Sequence, residues 1–183
     1  MLNLTSGRIL ISEPLISDKR FFKSIILITY HSKIESLGLI VNQPTKLYLH
    51  EIIDGIKEND FQLYIGGPVE QNSIQFIHTL GNVIKNSIRI NEGLYWGGDF
   101  SIVKKMINNN EISNNEIKFF MGYSGWHENQ LENEIKEKSW ILDDSSTKVC
   151  MQKSNSELWS KIAKKKGAQY AIWSNLPINP NLN

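Results

Sequence analysis

Gly122-Tyr123-Ser124-Gly125-Trp126-His127-Glu128-Asn129-Gln130-Leu131-Glu132-Asn133-Glu134-Ile135 follows directly on an apolar run. The run, Glu116 to Tyr123, has the β-branched and aromatic content of a strand. Two glycines then mark a strand-to-helix turn, where dihedrals closed to other residues are needed. Glu128 to Glu137 is predicted as a helix. Leu131 and Ile135 form its apolar stripe, and Gln130 and Glu134, four apart, share the adjoining face. Such a stripe packs on a sheet and leaves Gln130 and Glu134 at the boundary between core and solvent.

Upstream, Arg8 to Ser12, Ser24 to Tyr30 and Leu37 to Val41 read as strands, the last apolar throughout and so buried on both faces. Asn42-Gln43-Pro44 stops it, because proline cannot donate to a ladder. Leu49 to Lys57 carries apolar residues at helical spacing. Gln62 to Ile65 is a strand closed by Gly66-Gly67-Pro68-Val69. Ser73 to Thr79 and Asn82 to Ile90 are expected to pair as a hairpin through Gly81-Asn82. Asp99 caps a helix running to about Asn108. Ser139 to Asp143 and Lys148 to Met151 are predicted as short strands. Ser154-Asn155-Ser156-Glu157 is a capping box opening a helix that ends at Gly167.

No repeat, linker or shift in composition divides residues 1–183, so a single domain is expected, with 174–183 as a loose tail. Hairpin-like strand pairs mixed with single helices give an α+β protein with a largely antiparallel sheet. The missing βαβ alternation argues against a doubly wound nucleotide fold.

Composition narrows function by exclusion. Twenty Lys and Arg against 19 Asp and Glu leave a net charge of +1, without the basic excess of a duplex-binding protein. Only Arg8, Arg20 and Arg89 could clamp a phosphate in bidentate fashion. The single cysteine, Cys150, permits no intrachain disulfide and no multi-cysteine zinc pattern. It reads as a buried inert thiol. No signal-peptide pattern and no apolar run of membrane-spanning length is present, so a cytoplasmic location is expected, away from membranes.

Chemistry is harder to assemble. Gly122-Tyr123-Ser124-Gly125 resembles a nucleophile elbow in outline, but Trp126 stands where that tight turn needs a small residue. The four histidines, at 31, 50, 78 and 127, share no ligand spacing, so no metal is expected. Gly66-Gly67-Pro68 lacks the Lys-Ser or Lys-Thr of a phosphate-cradling loop. The cluster Lys161, Lys164, Lys165, Lys166 reads as a solvated helix end. No cofactor and no catalytic residue is assigned.

Taken in order, Gly7-Arg8-Ile9-Leu10-Ile11-Ser12-Glu13-Pro14, Gly38-Leu39-Ile40-Val41-Asn42-Gln43-Pro44, Gly66 to Val69 and Gly122 to Glu134 resemble the YqgE/AlgH family of small, largely uncharacterised bacterial proteins. Gln43 departs from the arginine, and Asn129 from the glycine, common in that pattern. The resemblance implies one compact domain whose sheet curls towards a barrel flanked by helices. Some members are labelled transcriptional regulators, yet no helix-turn-helix is legible here.

The expectation is therefore a non-enzymatic cytosolic binding or regulatory protein. Its partner would be another protein or a small polar ligand rather than nucleic acid. The candidate surface comprises Asn42, Gly66, Gly67, Pro68, Gly122, Tyr123, Trp126, Gln130 and Glu134. Two alternatives stand beside it: a hydrolase using Glu134 or Glu132 as base with the Gly66 and Gly67 N–H groups as oxyanion donors, and a DNA-linked regulator acting through Lys161 to Lys166.

Overall fold

Five consecutive buried residues, Ile25 to Thr29, place strand β2 (Ile25–His31) inside the molecule with apolar side chains on both faces. The computed structural model describes residues 3–144, 147–167 and 170. β2 is flanked by β1 (Arg8–Ser12) and β3 (Glu35–Ile40), and β1 in turn by β10 (Trp140–Asp144). Beyond β3 comes β9 (Ile117–His127), then β6 (Val69–His78), β8 (Leu94–Trp96) and β7 (Ile88–Asn91). β5 (Gln62–Ile65) joins β9 in parallel, and β4 (Pro44–Tyr48) pairs with β5. Every other pairing is antiparallel.

Side chains alternate across this ten-stranded sheet and feed three apolar clusters. Ile9, Ile11, Ile25, Leu27 and Phe120 point to the face covered by α4 (Thr147–Met151) and α5 (Ser156–Lys164), which contribute Cys150, Met151, Trp159 and Ala163. Leu10, Ile26, Ile28 and Trp126 point the other way, under Leu131 of α3 (Gln130–Lys136). Leu63, Phe76, Ile117 and Phe119 pack with Leu49 of α1 (Leu49–Ile52) and with Val103 and Ile107 of α2 (Phe100–Asn108).

The sheet is neither closed nor strongly curled, contrary to the barrel-like expectation. Among the described residues its main path ends at β10 and β7, and each of these has one strand neighbour. The parallel β5 wedged beside β9 branches the sheet instead of continuing it round. The result is a single α+β domain with a large, mainly antiparallel sheet and a few helices.

Several local expectations are corrected. Gly122-Tyr123-Ser124-Gly125-Trp126 is not a strand-to-helix turn: β9 runs through it to His127, and α3 begins only at Gln130. The helix expected over 49–57 stops at Ile52, before Gly55 turns left-handed at φ 72°. Residues 82–86 form turns and a bend, with Ile84 alone buried among them, and the hairpin is β7–β8 around Gly93. Lys148 to Met151 is helical. Cys150 and Met151 are both buried in one cluster, whereas adjacent strand residues would face opposite ways. The 174–183 tail lies outside the described residues.

Two features fix the layers. One is the approach of Gly66 and Gly67 to Gly122 and Tyr123. A Cβ on Gly122 would lie 2.5 Å from the Val69 carbonyl oxygen and 2.9 Å from that of Gly67, and Gly122 itself has φ 68°. The other is Lys118, which lies inside the sheet. Its Nζ, with three N–H groups, lies within hydrogen-bonding distance of four acceptors: the carbonyls of Val41 at 2.8 Å, Gln152 at 3.0 Å and Cys150 at 3.3 Å, and Ser154 Oγ at 3.1 Å. The ammonium also sits 3.9 Å from the centre of the Tyr64 ring. It thereby ties the end of α4 to β9. Burial pulls its pKa down to about 7, with Cys150 pulling the other way.

Gly122→Ala should lower stability by about 2–4 kcal/mol in chemical denaturation, because left-handed strain and overpacking add. Lys118→Met should also destabilise, by about 3 kcal/mol, since it strands buried carbonyls. Unfolded lysine titrates near ~10.4. Between about 7 and that value the unfolded chain therefore binds more protons than the folded one, and wild-type stability rises with pH. The deficit of Lys118→Met should accordingly be larger at pH 9.5 than at pH 7 in paired denaturant titrations.

Candidate functional site

The structure divides the nine candidate residues into a frame and a cleft. Asn42 belongs to the frame. It is fully buried, its Oδ1 accepting from Ile25 N at 2.8 Å and its Nδ2 donating to Lys23 O at 2.9 Å. Its neighbour Gln43 turns inward as well, donating to Ser24 Oγ at 2.8 Å. Gly66 spends its N–H on Met121 O and its carbonyl on Ile40 N and Ser124 Oγ. A Cβ on Gly67 would overlap the Tyr123 backbone. Tyr123 is half-buried outside the cleft, and its hydroxyl holds its proton more tightly than usual through burial and the nearby Glu70.

Pro68, Trp126, Gln130 and Glu134 instead line a cleft of about 380 Å³. One wall is the Pro68-Val69 turn held in place by the glycine contact. A second part of the lining is Gln130, Glu134 and Glu137, from α3 and its C-terminal end. Asp18, Arg20 and Phe21, around a short 3-10 turn at Lys19–Phe21, close a third side, and Ser139 and Trp140 at the start of β10 complete it. The glycine motif carried no signal for this third side. Of its residues, the sequence drew attention only to Arg20, as one of three arginines.

Glu134 organises the cleft. Its Oε2 accepts from Trp126 Nε1 at 2.9 Å and from Trp140 Nε1 at 2.7 Å, and its Oε1 accepts from Gln130 Nε2 at 2.8 Å. Gln130 Oε1 in turn accepts from His127 N at 3.1 Å, joining the strand end to α3. Asn129 stands between them at φ 59°, a left-handed conformation that glycine takes freely and asparagine tolerates. The two indoles, one on β9 and one on β10, lie edge to face with centroids 6.0 Å apart. Phe21 packs edge-on against Trp140 at 5.4 Å.

Several groups that the hydrolase alternative would use are committed to the fold. Ser124 is buried and donates to Gly66 O at 3.2 Å, with the backbone of β9 continuing past it. The Gly66 N–H, needed as an oxyanion donor, is consumed by Met121 O. Glu134 is bound by two indoles on its inner oxygen. Among the described residues no group of three or more His, Cys, Asp or Glu is placed to hold a metal. A smaller cavity of about 120 Å³ lies beside Lys118 and Tyr64. In the C-terminal lysine cluster, Lys161 faces Glu157 at 3.8 Å and Lys166 pairs with Asp143 at 2.5 Å. Among the described residues no helix is long and apolar enough to cross a membrane.

Comparison with known proteins agrees with this architecture. The AlgH-like (DUF179) family model matches residues 9–171. A UPF0301 protein of Cytophaga hutchinsonii is 36% identical over 181 residues, covering 98% of this chain and 100% of the relative. The UPF0301 protein BF2109 of Bacteroides fragilis is 39% identical over 178 residues, covering 97% and 90%. In fold, the chain is similar to the solution structure of AlgH from Pseudomonas aeruginosa, with a TM-score of 0.75 at 20% identity over 98% of this chain and 100% of that one. It is equally similar to DIP2367 of Corynebacterium diphtheriae, with a TM-score of 0.76 at 19% identity, covering 96% and 94%. With a family model spanning most of its length and relatives this similar from end to end, the chain belongs to the AlgH-like UPF0301 family, whose function is uncharacterised.

Proposed function

We propose that this chain is a non-enzymatic binding or regulatory protein of the cytoplasm, and that its ligand occupies the cleft between the Pro68-Val69 turn, α3 and the Asp18–Phe21 segment. The observation that supports the reading is the state of Glu134. Two indole N–H groups and a side-chain amide fix its carboxylate at the cleft wall, as a recognition element is fixed before its ligand arrives. A general base also needs a partner nucleophile, and here the serine of the motif, Ser124, is buried in the strand. The cleft's volume falls within the range of small-molecule sites, and its lining mixes aromatic side chains with a few fixed polar groups. A cytoplasmic setting is consistent with a single, buried cysteine.

The indoles of Trp126 and Trp140 make the site observable. A fractionated small-molecule and peptide extract of the source cells, added to ¹⁵N-labelled protein, should move the indole N–H signals of these two residues. Those of Trp96 and Trp159, on other faces of the sheet, should stay in place. Ser17→Trp, a substitution at an exposed position on the cleft rim, should weaken that response at least ~10-fold with an unchanged unfolding midpoint. Chemical conversion of the bound species, or a response confined to Trp96 or Trp159, would overturn the reading.

A further inference from the structure

We infer that the cleft takes a cationic head group on an apolar stem, an alkylammonium or alkylguanidinium. This rests on the reading of the cleft as a ligand site and concerns only what enters it. Three carboxylates line the cleft, Asp18, Glu134 and Glu137, against one cation, Arg20. Arg20 is committed to Asp18, with Nε donating to both carboxylate oxygens at 2.9 and 3.1 Å and Nη2 to Oδ2 at 2.6 Å. That pair is neutral as a unit.

Glu134 is different. All three of its donors are uncharged, so its hydrogen bonds are satisfied on the inner side while its negative charge is balanced by no cation among the lining residues. Its Oε1, with a single donor, keeps a lone pair for a further N–H. Glu137 adds a second negative charge at the exposed rim. Trp126 and Trp140 are 4% and 2% exposed, so the half-buried Phe21, stacked on Trp126 and edge-on to Trp140, offers the cleft more aromatic surface than either indole. A cation is attracted to such a face as well as to the carboxylates. Pro68, Val69 and Ile16 supply apolar contact for a stem. An anion would meet Glu134 and Glu137 with no free cation to oppose them, and a neutral ligand would leave their charge unanswered.

The test titrates n-butylammonium and n-butylguanidinium into labelled protein, with n-butanol and butyrate as neutral and anionic controls. The two cations should move the Trp126 and Trp140 indole signals, with an affinity that falls as salt is raised, and the controls should not. Glu134→Gln keeps an oxygen for the indoles, and Glu137→Gln changes only an exposed side chain. Each should weaken cation binding roughly tenfold, and Glu137→Gln remains informative if Glu134→Gln fails to fold. A lysine-containing pentapeptide and cadaverine form the last pair of arms. Tighter binding of the peptide identifies a protein segment as the source of the cation, and tighter binding of cadaverine a free amine; either supports the inference. Butanol or butyrate shifting the two indoles as strongly as the cations would overturn it while leaving the cleft as a ligand site. Failure of every probe to shift them, while the cellular ligand does so and proves anionic or neutral, would overturn it in the same way. Cation binding read only at Trp96 or Trp159 would sink both readings.

Discussion

The contact on which most of this molecule depends is between two stretches of bare backbone, Gly66-Gly67 and Gly122-Tyr123. β9 is flanked along one edge first by β5, as far as Met121, and then by β3 from Ser124 onward. The change of partner happens where Gly66 slips between them, donating to Met121 O and accepting from Ile40 N. Any side chain at 66, 67 or 122 would push these segments apart. On β9's other edge the pairing with β6 is interrupted between Val69 and Ile74, with Glu70 in a left-handed conformation. The contact thus ends one ladder, starts another and leaves the Pro68-Val69 turn standing as a wall.

Buried polar groups do comparable work elsewhere, each with its partners supplied by the fold. Asn42 closes the gap between β2 and the end of β3. Lys118 gathers carbonyls from Val41, Cys150 and Gln152, segments distant in sequence, and so fastens α4 and the residues beyond it to the sheet. Trp159 adds a hydrogen bond to Ser12 O from inside the same layer. Glu134 joins α3 to β9 and β10 through two indoles. The first three are spent on the frame. Glu134 differs because it reaches the surface of a cleft with its charge balanced by none of its hydrogen-bond donors.

Much of the strand pattern was legible from residues alone. Ile-rich β1 and β2, the Asp99 cap and the amphipathic α2 all follow from periodicity and capping, and the structure places them as read. β4 was missed because Pro44 marks a break and its residues are mostly exposed, as an edge strand's can be. α4 differs from the expected strand because three apolar residues in a row, Val149-Cys150-Met151, have the same pattern in helix and strand. Lys118 drew no notice, since a lysine between Ile117 and Phe119 says nothing of the carbonyls that will surround it.

The candidate site shows the same limit more sharply. Gly66, Gly67, Pro68, Gly122, Trp126, Gln130 and Glu134 were all marked by the sequence, and they do meet in space. Which of them form the frame and which border the cleft was decided by packing: Asn42 and the glycines are consumed by backbone contacts, while Pro68, Trp126, Gln130 and Glu134 border open space. Asp18, Arg20, Phe21, Glu137 and Trp140 complete the cleft from segments that share no motif with it. The sequence determined the family, the α+β class and the local signals, because these depend on residue type and on spacing within a few positions. Tertiary structure alone decided the open sheet, the buried ammonium and the carboxylate held by two indoles, because each is a meeting of groups far apart in the chain.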